Sequence, residues 1–98
     1  MFTEEVQVKS TIGLHARFAT SFVQKANEYE AAIWIEKEDR RVNAKSLLGV
    51  LSLDIGQGSV VKVIAEEEEA VKQLIALIGQ GFFEGKGENP ELLNDKSS

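Results

Sequence analysis

Cysteine is absent from the 98 residues. That excludes disulfides, zinc thiolate sites and cysteine nucleophiles, and it permits a reducing compartment. Histidine occurs once, so a multi-histidine metal site is excluded as well. Bases are the minority, eleven against sixteen acids, for a net charge of −5. A uniformly basic nucleic-acid binder is thereby disfavoured, leaving at most a local basic patch. No apolar run approaches the length that crosses a bilayer. The start, Met1-Phe2-Thr3-Glu4-Glu5, is acidic and has neither the n-region nor the h-region of a signal peptide. Apolar residues make up 43 % of the chain and charged residues 28 %, enough for one domain with a real core. The expectation is a small, soluble, cytoplasmic domain without metal or cofactor. Its size suits a carrier, adaptor or binding module better than a self-contained enzyme.

Phe2, Val6 and Val8 share one phase of an alternating pattern, which predicts a half-buried strand with Glu4 as the exception. A loop ending in Gly13 follows, and then a helix over 16–28 whose apolar face is Ala19, Phe22, Val23 and Ala26. A second strand is expected over 31–36, a polar turn at Lys37-Glu38-Asp39, and a short third strand over 40–44. Residues 45–53 are rich in leucine and poor in β-branched residues, which favours a short helix. Gly56-Gln57-Gly58-Ser59 reads as a turn, and Val60 to Ala65 as the last strand. The acids at 66–69 open a helix reaching about Ile78, with Leu74, Ile75, Leu77 and Ile78 as its buried stripe and Gly79 and Gly81 as its stop. The order β-α-β-β-α-β-α describes an α+β domain, a mainly antiparallel four-stranded sheet with three helices on one face. The folded domain is expected to span 1–84. The polar segment 85–98 holds the chain's single proline and is expected to be a disordered tail.

Three places could carry chemistry. In Gly13-Leu14-His15-Ala16-Arg17 a loop becomes a helix. Free backbone N–H groups and the positive end of the helix dipole meet a phosphate there, and Arg17 adds a forked cation. An imidazole with an ordinary pKa of about 6.5 is partly neutral near pH 7 and can attack phosphorus. The plain alternative, a surface histidine at a helix start, is not separated from this by spacing alone. Ser46, in Asn43-Ala44-Lys45-Ser46-Leu47-Leu48-Gly49, stands where the short helix begins; it is either a simple N-cap or a phosphorylation site. Leu47, Leu48 and Leu51 cannot all be buried by so short a helix, so part of that set should form an exposed docking patch. Gly56-Gln57-Gly58 lacks the further glycine and lysine of a nucleotide loop, and Glu66 to Glu69 lacks the ligand spacing of a calcium loop.

Taken together, GLHAR at 13–17, FVQKAN at 22–27, VNAKSLLGVLSL at 42–53 and GQG at 56–58 resemble the HPr family, the histidine-containing phosphocarriers of the bacterial phosphoenolpyruvate:sugar phosphotransferase system. The resemblance runs from about Val6 to Phe83 and implies an HPr-like open-faced β-sandwich. It implies that His15 takes a phosphoryl group on Nδ1 from phosphorylated enzyme I, with Arg17 as phosphate partner, and passes it to EIIA components of sugar transporters. Ser46 matches the serine modified by HPr kinase/phosphorylase, and Leu47, Leu48 and Leu51 match the partner-docking face. On this reading the protein is a phosphoryl carrier, not an enzyme. The competing reading is an HPr-like regulatory module that presents phosphoserine to a catabolite-control repressor or a metabolic enzyme. Phe18 stands where the family usually has proline. Since 18 falls one step before the apolar face, the ring is expected to be solvent-exposed and to join the docking surface.

Overall fold

The computed structural model describes residues 1–9 and 16–79. Its elements are β1 (Phe2–Gln7), α1 (Ala16–Ala26), β2 (Ile33–Lys37), β3 (Arg40–Asn43), α2 (Leu47–Ser52), β4 (Val60–Ala65) and α3 (Glu68–Gly79). The four strands form one sheet in the order β1-β4-β2-β3, every neighbouring pair antiparallel. The expected element order and fold class are therefore found. The expected tail over 85–98 lies outside the described residues.

Alternation along the strands decides which face is buried, because successive side chains point to opposite sides of a sheet. In register, Glu4, Val63, Ile35 and Val42 form one row across all four strands, and Phe2, Ala65 and Ile33 form the next. Ile33, Ile35, Val61, Val63 and Ala65 are buried in the same cluster as Ala19 and Phe22 of α1, Val50 of α2 and Leu74 and Ile78 of α3. Each fully buried Ile or Val side chain contributes roughly 1.5–3 kcal/mol. The opposite face carries the row Glu5, Lys62, Glu36 and Arg41, with charges alternating from strand to strand. Arg41 and Glu36 close to 3.3 Å within it. Opposite charges placed directly across strands favour this register over a slip.

Tight connections hold the helices to that sheet. β2 and β3 are joined by the two residues Glu38 and Asp39, and Glu38 takes φ 57°, the left-handed backbone that short hairpin turns require. Between β4 and α3 lie only two residues, so α3 must turn back across the sheet, where it packs on β1 and β4.

Phe18 corrects one expectation. Its ring is 2 % exposed and lies 6.4 Å from the Phe22 ring, centroid to centroid. The physical reason is helical spacing: 18 and 22 differ by four and stand one above the other on the same face. The buried stripe of α1 is thus Phe18, Ala19, Phe22 and Ala26, with Val23 half-buried at its flank. Phe18 belongs to the core and contributes no docking surface. Accordingly Phe18→Ala should cost about 3–5 kcal/mol in urea denaturation, and Phe18→Pro, which forfeits the same ring, should also unfold at much lower urea.

Candidate functional site

At the start of α1 the backbone itself supplies donors. The first turn holds no acidic residue to neutralise the positive end of the helix dipole. Arg17 sits exposed in that turn. Among the described residues no carboxylate lies within ion-pair distance of its guanidinium. The other end of α1 is closed locally, with Asn27 Nδ2 donating to the Val23 carbonyl at 2.9 Å and Lys25 meeting Glu28 at 3.2 Å. His15, the expected nucleophile, lies outside the described residues; what the structure contributes is the helix start and the cation immediately after it.

The second locus is α2, which packs against α1. Ser46 has extended backbone, φ −104° and ψ 114°, and its Oγ accepts the Gly49 N–H at 3.1 Å. That is the geometry of an N-cap. The hydroxyl is at the surface. Leu48 is 80 % exposed and Leu47 38 %, whereas Val50 and Leu53 are buried and Leu51 is half-buried against the core. The leucine set therefore divides as six residues of helix dictate, one side packed and one side presented. Gly49 allows α2 to approach so closely: a Cβ there would come within 3.2 Å of Ser46 Oγ and 3.3 Å of Val42 Cβ. Lys45 Nζ donates to the Tyr29 carbonyl at 2.6 Å and ties the loop before α2 to the end of α1. Burial of the Tyr29 phenol raises its pKa above the ordinary 10.0, and the Glu69 carboxylate adds to the rise.

Two residues escaped the sequence reading. The sequence places Lys37 in a polar turn and Arg40 at the start of a short strand. Lys37 Nζ donates to the Leu53 and Asp54 carbonyls at 3.1 and 2.8 Å, and Arg40 donates to the Ser52 carbonyl at 2.6 Å and to Ser52 Oγ at 3.0 Å. No local sequence pattern announces this, because the acceptors lie 12–17 positions further on.

The family model described as the PTS HPr component phosphorylation site matches residues 2–80. The chain belongs to the HPr family. It is 48 % identical over 81 residues to the HPr-like protein Crh of Halalkalibacterium halodurans, covering 80 % of this chain and 96 % of that one. It is 35 % identical over 89 residues to the phosphocarrier protein HPr of Neisseria meningitidis, covering 88 % of this chain and all of that one. Among solved structures, HPr-C-His from Thermoanaerobacter tengcongensis superposes with a TM-score of 0.82 at 46 % identity, covering 88 % of this chain and 100 % of the other. No helix among the described residues is long and apolar enough to cross a membrane.

The cap gives a prediction that needs no partner. Ser46→Ala should lower stability by about 1 kcal/mol, and Ser46→Gly by only a few tenths. Equal midpoints in urea for wild type and Ser46→Ala would show that the 3.1 Å contact contributes nothing to stability.

Proposed function

We propose that this HPr-family protein carries a phosphoryl group on His15, accepting it from phosphorylated enzyme I and passing it to EIIA components of sugar transporters. The observation that supports this best is the exposed Arg17 in a first turn of α1 that holds no acidic residue, two positions after His15 in the chain. The Nδ1 lone pair attacks phosphorus, the N–P bond forms, and the bond from phosphorus to the donor breaks. Arg17 and the helix start hold the phosphoryl oxygens as their charge changes, the role of preorganised donors generally. Partners dock on the presented side of α2, through Leu47 and Leu48 with Leu51 at the edge. Ser46 is the regulatory site, modified by HPr kinase/phosphorylase.

A second reading has a specific observation behind it. A relative at 48 % identity is named the HPr-like protein Crh, a level that proteins named HPr also reach, at 46 % for HPr-C-His. On that reading the protein acts mainly through phosphorylated Ser46, by contact with a catabolite-control repressor or a metabolic enzyme. Histidine at 15 favours the carrier. Incubation with phosphoenolpyruvate and enzyme I separates the two, since a carrier acquires an acid-labile, base-stable phosphate and a purely serine-directed module does not.

His15→Ala should abolish phosphoryl acceptance from enzyme I and leave the thermal midpoint nearly unchanged. Arg17→Ala should slow transfer without abolishing it, because the backbone donors remain. Phosphate uptake by His15→Ala would refute the assignment.

Phosphorylation of Ser46 should slow phosphorylation of His15 through charge. About −2 of charge beside Leu47 and Leu48 must be desolvated when a partner docks, and an acidic partner surface would repel it. Ser46→Asp should inhibit less than the phosphate, and added salt should recover part of the rate. Equal rates for wild type, phosphoprotein and Ser46→Asp would remove the regulatory role, and a large change in circular dichroism would replace charge with refolding as the mechanism.

A further inference from the structure

We propose that Lys37 and Arg40 are positioning residues for partner docking, a cationic clamp on the C-terminal end of α2 that fixes how Leu47 and Leu48 are presented. The inference rests on the reading of α2 as the docking helix.

The argument begins with placement. Lys37 and Arg40 are direct cross-strand partners, flanking the two-residue turn between β2 and β3. Like charges directly opposite on neighbouring strands destabilise a sheet. Both also share the row of Val6 and Val61, the phase of the sheet that faces the helices, where cations are least expected. What offsets both costs is the end of α2. Four acceptors there, the carbonyls of Ser52, Leu53 and Asp54 and the Ser52 hydroxyl, each receive a donor from one of the two side chains at 2.6–3.1 Å.

Accounting for the helix end shows why this matters. The last four carbonyls of any helix lack partners within it. In α2 these belong to residues 49–52. The Gly49 carbonyl accepts from Ser52 Oγ at 2.6 Å, that of Val50 from the Leu53 N–H at 3.2 Å, that of Leu51 from the Asp54 N–H at 3.1 Å, and that of Ser52 from Arg40. Asp54 turns into left-handed backbone at φ 51° to do so. Arg40 thus closes the set, and its second bond, to Ser52 Oγ, orients the hydroxyl that serves Gly49. The Gly49 N–H in turn caps onto Ser46. A helix of six residues does not hold itself together in water. Its two ends are held from outside its own ladder, Ser46 at one and the β2–β3 hairpin at the other. Positive charge at the C-terminal end also complements the dipole.

The test uses the full chain and three variants, Arg40→Met, Lys37→Met and Arg40→Lys. Amide hydrogen exchange in the free protein reads the clamp directly. Val50, Leu53 and Asp54 should exchange about tenfold faster or more in either Met variant, with Val63 of β4 unchanged and Arg40→Lys between wild type and Arg40→Met. Unchanged exchange in α2, or an equal acceleration of Val63, overturns the proposal. With phosphorylated enzyme I as donor, Arg40→Met should raise KM about fivefold while kcat at saturation stays the same, and the effect should shrink in a Leu48→Ala background. An equal loss in both backgrounds overturns the link to docking. If Leu48→Ala alone leaves KM unchanged, the docking role of α2 falls, and exchange in the free protein still decides whether the clamp exists.

Discussion

One sheet face, buried against three helices, is the constraint on which everything else depends. Ile33, Ile35, Val61, Val63 and Ala65 supply the floor of the core, and α1, α2 and α3 supply its cover. Because these five side chains point the same way, each helix must offer a stripe to them and leave its other side in water. The site follows from that geometry. α1 is held by Phe18, Ala19, Phe22 and Ala26, and Arg17 remains at the surface. α2 is held by Val50 and Leu53, so Leu47 and Leu48 stay exposed.

The weakest element is the one on which the proposed function depends most. α1 and α3 are long enough to be stabilised by a stripe of several buried residues. α2 has six residues, and packing accounts for only part of its order. The remainder comes from hydrogen bonds at its ends: Ser46 to the Gly49 N–H, and Lys37 and Arg40 to the carbonyls of 52–54. A phosphate introduced at Ser46 would act where one of those bonds begins. On the proposed function, the atoms that cap α2 are also the ones that regulation would reach.

Much of the fold was legible because its signals are local. Val60–Ala65 shows its β-branched residues outright, and Leu74 with Ile78 marks one face of α3. Element boundaries were less legible. The helix expected over 16–28 ends at Ala26, and the one expected from 66 begins at Glu68, because caps and turns trim helix ends without altering the apolar period. Phe18 misled for a definite reason. A stripe drawn from 19, 22, 23 and 26 looks complete, yet the core beneath α1 is wide enough to take one more position on the same face.

The sequence by itself determined the strands and helices, their order and the place of Ser46 at a helix start, since each depends on residues within a turn or two of one another. Tertiary structure alone decided which leucines of α2 are presented, where the Phe18 ring goes and which carbonyls Lys37 and Arg40 reach. Burial depends on what lies across the core, and hydrogen bonds spanning 12–17 positions depend on how the sheet brings distant backbone together. Neither is a property of any local stretch of chain.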